Sequence, residues 1–587
     1  MYLKPELAAF LQNNDVHSES AMLEVTESLK APLSELQKVE AEIQRLGELM
    51  ETMKMKGQNI QKIINDYNII LSPVRRLPAD VLHEIFFHCL PTLHNPIVKY
   101  SESPLLLTRI CSSWRAIALT SPRIWSKVHI PLLGDPSVSD GIDDIITEET
   151  RLSDRRRRFA GVMRSRCDTV RSWLSRSGTC PLSLSVTCPR DNSGMQNSKD
   201  DSELNHEMFD ILRSFADRWS VVSLSIPEEF YNKLQGDRHP TIFPSLKSLK
   251  IILYRKDHLI NTRSIPIYTP IRLLAGPALR RISVHATSPM IWGLEYQSMW
   301  DHITHITTST IDRDLIILLR QCPNLVFGNF VVYPPQLLYR KLEDKDSLEL
   351  LLPRLESLAI NDSGTHETMV IIFEAIKAPA LTRLLYQCYP PPRRDSTVPF
   401  PVTPVIPLLE NSTLISTLSL DGGLSSQDTY ECLQRGAQVT RIVFGRPPIP
   451  FTFSGVPPLR ALNNPDVIRQ DHFDLKILSI GSVEMTLLPR LEFVEAYYLS
   501  SLTDEDLLDM ITSRIHASQR GEVAALKSVK MLFQRHRQKD ITEDVSRLAK
   551  EAGIEVELEL TYAAESAISL DRLSPSFGLT LNEGMLP

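Results

Sequence analysis

From Leu29 to Leu71 apolar residues return every seven positions, at Leu29, Leu36, Ile43, Met50, Ile64 and Leu71. A second series runs three residues behind, at Val39, Leu46, Met53, Ile60 and Tyr67, and only Gly57 breaks the first. This repeat predicts one helix with an apolar seam, and some 40 residues at about 1.5 Å each make a rod of roughly 60 Å. Pro32 suits an early helical position and Pro73 ends the run. Two coverings of the seam are open: a second copy of the chain, giving a homodimer, or the chain's own fold.

After Pro73 the pattern shortens. Leu77-Pro78 opens a helix whose apolar stripe is Leu77, Val81, Ile85 and Cys89, backed by Leu82 and Phe86, and Pro91 stops it. A loop leads to Ser103-Pro104, which is expected to start a second helix carrying Leu106, Leu107, Ile110, Trp114 and Ile117. Ser121-Pro122 caps a third with Ile124 and Trp125. Three short helices bury little alone, so this apolar module needs a partner surface.

Further on, an apolar-x-x-apolar-x-apolar pattern recurs: Val221-Leu224-Ile226, Leu246-Leu249-Ile251, Leu279-Ile282-Val284, Leu355-Leu358-Ile360 and Leu381-Leu384-Tyr386. It continues at Ile415-Leu418-Leu420, Val439-Ile442-Phe444, Leu475-Leu478-Ile480 and Leu526-Val529-Met531, with weaker copies from Leu325 and Leu491. Helical segments begin between them at Asp312, Thr368 and Thr503, the last with Thr503 and Asp506 spaced for a capping box. Strand and helix thus alternate at solenoid-like steps, which predicts an α/β array with a parallel sheet. In each copy the residue between the last two apolar positions points away from the buried layer. Lys250, Ser283, Ala359, Ser419, Val443, Ser479 and Lys530 should therefore form one row along an exposed concave face, where a target protein would lie.

Composition narrows the chemistry. The 587 residues exceed one compact core, 42% of them are hydrophobic and 23% charged, and the net charge is −7. No basic field favours nucleic acid as the main partner. Residues 151 to 176 hold nine arginines against two aspartates, but Phe159, Met163, Cys167, Val170 and Leu174 recur at helical spacing, so the arginines are read as a solvated helix face. The eight cysteines form no C-x-x-C pair and are read as reduced, mostly buried thiols, Cys111 among them as a small core hydrophobe. The N-terminal segment lacks a signal-peptide core and no stretch suits a membrane span, which points to the cytoplasm or nucleus.

No phosphate-cradling glycine loop or nucleophile elbow occurs. The pairs His302 with His305 and His83 with His88 have no third ligand or general base, so no catalytic residue, metal or cofactor is expected. The proline-rich stretch from Pro390 to Pro407 is read as a loop between repeats.

The order Leu77-Pro78, Val81-Leu82, Ile85, Leu107, Ile110-Cys111, Trp114-Arg115 and Trp125 resembles an F-box. With the coiled helix running into ILSPVRRLP and the segment CSSWRAIALTSPRIW, the context resembles the large F-box family of mushroom-forming fungi. Prolines ahead of the strands, at Pro244, Pro277, Pro353, Pro379 and Pro489, look like irregular leucine-rich repeats of F-box receptors, although the usual asparagine or cysteine after the strand is largely missing. The layout implied is a coiled helix over 1–72, an F-box over 73–131, a linker with a basic helix over 132–178, the repeat array over 179–562 and a tail over 563–587.

The resemblance implies docking on the Skp-type adaptor of an SCF ubiquitin ligase, and through it on cullin, by Leu77, Pro78, Val81, Leu82, Ile85, Leu106, Ile110 and Trp114. The chain itself would catalyse nothing. It would act as a substrate receptor, or alternatively as an assembly scaffold that uses the same box without driving ubiquitylation. The loop from Pro91 to Ser103 is longer than a minimal F-box carries.

Overall fold

The computed structural model describes residues 18–132 and 148–562, apart from internal segments at 189–198, 228–229, 232–242, 255–271, 287–299, 334–348, 365, 389–402, 422–423, 425, 446–474, 482–485 and 500. The tail 563–587 and most of the proline-rich stretch lie outside these residues. The chain divides into two compact units, Met1–Leu82 and His83–Pro587.

The first unit is dominated by one helix, α1, over Glu19–Leu71. It starts ten residues before the heptad pattern because Ser18 caps it, its hydroxyl accepting from the Ala21 amide at 3.4 Å. Pro32 is consequently interior rather than early, and the helix lacks the hydrogen bond its amide would have donated. No residue of α1 is buried. A turn at Pro73–Arg76 follows, then helix α2 over Ala79–His88, within which the division between the units falls.

Among the described residues the second unit is built on a fourteen-stranded parallel sheet in which successive strands lie side by side, from Lys127–Pro131 through Leu182–Thr187 to Glu557–Tyr562. A separate two-stranded ladder pairs Leu350–Leu351 with Ile376–Lys377. Parallel neighbours need a long crossover, and the segments between strands supply it as helices such as Asp312–Gln321, His366–Ala375 and Asp504–Gln519, the three expected from sequence. Thr503 and Asp506 form the capping box.

Strand side chains alternate, so one register of mostly apolar residues runs across the sheet, interrupted by Thr308 and Gly328. Leu249 pairs with Ile282 and Ile251 with Val284; Leu358 pairs with Leu384 and Ile360 with Tyr386. All are buried, and the Phe373 ring of the helix His366–Ala375 meets Tyr386 edge-on at 5.7 Å, so the helices cover this face. No helix among the described residues is long and apolar enough to cross a membrane.

Three sequence assignments are corrected. In the strand Trp219–Pro227 the repeat is Trp219-Val222-Leu224, because Val222 aligns with Leu249 and Val221 with Ser248. Val221 and Val222 are adjacent and either can begin the apolar spacing, which hides the phase. Leu475-Leu478-Ile480 is no strand: Leu475–Leu478 is a 3-10 turn, and the strand belongs to the weaker copy, at Phe493–Leu499. The buried Arg514 fixes that turn, donating to the Leu478 and Leu487 carbonyls at 2.8 Å and to Leu488 at 3.3 Å. Burial pulls its pKa down to about 10. Finally, the helix expected from Ser103 is broken. A 3-10 turn at Leu107–Arg109 precedes helix α3, Ser112–Leu119, since extended Cys111 caps it, its sulfur accepting from the Trp114 amide at 3.4 Å.

The loop after Pro91 has a structural use. Its Ile97 bridges His129, whose amide donates to the Pro96 carbonyl at 2.8 Å. Buried Asn95 donates to Ser185 at 3.2 Å and accepts from Ser183 at 2.8 Å. The loop thereby seals the first edge of the sheet, which would otherwise be open to foreign strands. The basic helix Glu148–Arg176 packs as expected through Met163, Cys167, Val170 and Leu174, with the Phe159 side chain outside the described residues.

At the other end, Asp504 is fully buried and ties the last repeats together. It accepts from Arg535 at 2.6 Å, from Tyr562 at 3.1 Å and from the Gln538 and Lys539 amides at 2.8 Å. Burial alone would raise its carboxyl, but these donors hold the pKa at about 2, below the ordinary 3.8. Because the folded value is depressed, the stabilisation is complete above the ordinary value and fades as pH falls from there towards 2. Urea midpoints should show Asp504→Asn well below wild type at pH 6, with the gap narrowing as pH falls to 2.5. A constant gap would contradict this role.

Candidate docking surfaces

In the first unit, Leu77 ends the Pro73–Arg76 turn and is half-buried, Pro78 and Val81 are exposed, and Leu82 is buried. In the second, Ile85, Leu106 and Ile110 are exposed, Ile110 to 53%, while Trp114 is half-buried with its ring 4.8 Å from that of buried Phe86. Exposure of branched side chains in so short a segment is not a failure to find a core. Trp125 is fully buried, donates to the Ala118 carbonyl at 2.8 Å and meets Trp173 edge-on at 4.8 Å. The segment therefore has a core, and Ile85, Leu106 and Ile110 lie outside it.

The second surface is the sheet face opposite the helices. Register places Lys250 beside Ser283, then continues through Thr307, Asn329, Ala359, Leu385, Ser419, Val443, Glu495 and Lys530. Six of the seven residues expected in one row share it. Ser479 does not, since it follows the 3-10 turn, and Glu495 holds its place. The row is also less open than expected: Ala359 is 9% and Ser419 7% exposed. The Ser283 and Ser419 hydroxyls are buried without a hydrogen-bond partner among the described residues.

Thr307 escaped sequence reading because its strand, His305–Ile311, uses Thr308 and Thr310 where the others use aliphatics. Glu495 escaped because it lies on the weaker copy. Yet Glu495 anchors the charged end of the face, pairing with Arg441 and accepting from Tyr497 at 2.6 Å, while Lys530 pairs with Glu559 at 2.7 Å. Burial first, then the Glu495 carboxylate, pushes the Tyr497 hydroxyl up. One row over, His305 stacks on Phe327 at 6.0 Å, and burial together with Arg281 lowers its pKa. This histidine favours its neutral form.

Other candidate chemistry falls to structural roles. Cys167 and Cys322 are pushed up to about 11 and about 12 by burial, which disfavours the thiolate. Cys111 is exposed, contrary to its expected place in a core, because it stands at the helix cap. His302 lies 3.4 Å from Asp301 and His305 bonds Thr304 at 2.8 Å, while His83 bonds Ser121. Among the described residues no group of three or more His, Cys, Asp or Glu is placed to hold a metal ion.

No family model matches the chain. No curated protein matches it either. Among solved structures it is similar to a structural-genomics target protein from Bacteroides fragilis, at 12% identity over 63% of this chain and 86% of that one, with a TM-score of 0.26. It is also similar to a TLR13–ssRNA13 complex, at 9% identity over 65% of each chain, with a TM-score of 0.18. Likenesses this loose transfer neither geometry nor function.

The contrast between the two kinds of apolar residue is measurable. Trp125→Ala should lower stability by about 3–5 kcal/mol, whereas Ile110→Asp should change it by no more than about 0.5 kcal/mol. Chemical denaturation reads both, and comparable losses would place Ile110 in the core.

Proposed function

We propose that this chain is an F-box adaptor: it docks on a Skp-type adaptor, and through it on cullin, as a substrate receptor of an SCF-type ubiquitin ligase. On this reading residues 73–131 are the F-box and the sheet with its helices is an irregular leucine-rich-repeat-like solenoid. The observation that carries the reading is the exposure of Ile85, Leu106 and Ile110 beside a packed Trp125, since solvent-facing branched side chains clustered in one short segment mark a protein-docking surface. Leu77, Pro78, Val81, Leu82 and Trp114 complete the candidate set. The protein would act in the cytoplasm or nucleus and use no cofactor or metal.

The target would lie along the face carrying Lys250, Ser283, Ala359, Ser419, Val443, Glu495 and Lys530. The scaffold alternative uses the same surfaces and differs only in lacking cullin.

Leu77→Ala with Pro78→Ala should abolish capture of the Skp-type adaptor while the thermal transition stays in place. Undiminished capture would refute the docking claim. In the same pull-down, adaptor recovered with cullin supports the ligase role, and adaptor without cullin supports the scaffold. On the sheet, Lys250→Glu with Ser283→Arg should remove co-purifying target and leave adaptor binding intact. Retention of both would move the target to the loops.

A further inference from the structure

Helix α1 offers an unpaired seam. Every apolar member of its two heptad series is exposed, and Met22 and Val25 carry the series one heptad further towards the N-terminus. The seam thus runs from Met22 to Leu71, about seven heptads, far beyond what a solvated helix needs.

What covers it can be argued from the charges beside it. The position after each second-series residue and the position before each first-series residue flank the seam and meet the partner's flanks. The charged flanks are Glu35, Glu40 and Glu42 towards the N-terminal half and Lys54 and Lys56 towards the C-terminal half. In a parallel, in-register pair, Glu35 meets the partner's Glu40, a repulsion made twice by symmetry. No acidic flank there meets a lysine.

In an antiparallel pair with Ile43 facing Met53, Leu36 facing Ile60 and Met50 facing Leu46, the outcome reverses. Glu40 then lies beside the partner's Lys54 and Glu42 beside the partner's Lys56, and symmetry makes four attractive contacts. Gly57 falls opposite Val39 and Pro32 opposite Ile64, so each interruption has a branched side chain across from it. Sliding by one heptad in one direction keeps only a Glu35–Lys56 contact, and in the other direction none. The charges therefore select one orientation and one register. Within its own helix Glu42 accepts from Arg45 at 2.7 Å, and Lys54 lies 3.9 Å from Glu51. Exposed pairs of this kind are weak and leave both groups able to re-pair.

We infer that the chain forms a homodimer through an antiparallel coiled coil of Glu19–Leu71, with Glu40 and Glu42 facing the partner's Lys54 and Lys56. The two Leu71 ends then emerge at opposite ends of the rod, on the order of 70 Å apart, so the remainders of the two chains project from opposite ends. This inference is independent of the proposed F-box role.

Sedimentation equilibrium of the full chain tests it. Wild type should dimerise at micromolar concentration, and Ile43→Asp with Leu46→Asp should be monomeric. Glu40→Lys with Glu42→Lys should raise the dimer dissociation constant about tenfold or more, and adding Lys54→Glu with Lys56→Glu should restore it to within about threefold. A parallel coil predicts the opposite sign for the first pair, because a lysine in place of Glu40 would then meet the partner's Glu35. Circular dichroism confirms that each variant keeps its helix. Unchanged or tighter association of the double reversal, no recovery in the quadruple variant, or a monomeric wild type would each overturn the antiparallel dimer.

Discussion

The second unit depends on one constraint, the register of a parallel sheet whose side chains alternate with a period of two. Because Leu249 meets Ile282 and Leu358 meets Leu384, every strand must present its aliphatic residues to the same side, and a slip of one residue would turn that ladder towards solvent. Helices can lie only where the ladder is, so the opposite face is left for polar and small residues. The row from Lys250 to Lys530 follows from the same register that builds the core.

A long open sheet has two vulnerable edges, and the chain treats them differently. At the first, Asn95 to Ile97 bonds to strand residues His129, Ser183 and Ser185. At the last, the strand Glu557–Tyr562 carries glutamates at alternate positions, and charge discourages a further strand. Sealing the first edge with the loop after Pro91 also joins the helices around Trp114 and Trp125 to the sheet. The apolar side chains proposed for docking in this unit therefore stand on the body that carries the second face, rather than on a flexible tether.

Much of this was legible in the sequence wherever a residue's chemistry matched its burial. Leucine and isoleucine at fixed spacing marked most of the strands, the heptads marked α1, and Thr503 with Asp506 marked a helix start. Legibility failed where burial and chemistry parted. Thr308 and Thr310 are buried threonines, so their strand broke the apolar pattern; in Trp219–Pro227 the adjacent Val221 and Val222 left the phase ambiguous. Leu475 and Leu478 looked like a strand because they are buried, yet Arg514, thirty-odd residues away, captures their segment as a turn. Such long-range contacts leave no local pattern. The loop after Pro91 was visible only as an excess of length, because its partner strands lie beyond it in the chain.

The joining of the helices around Trp114 and Trp125 to the sheet is tested most directly by hydrogen exchange of the full chain. Peptides covering residues 95–100 and 127–131 should exchange as slowly as the central strand Ser357–Asp362, since the His129 amide and its neighbours are held within the same cooperative sheet. Exchange of those peptides within seconds, while Ser357–Asp362 stays protected, would contradict the account and detach the helices around Trp114 and Trp125 from the sheet.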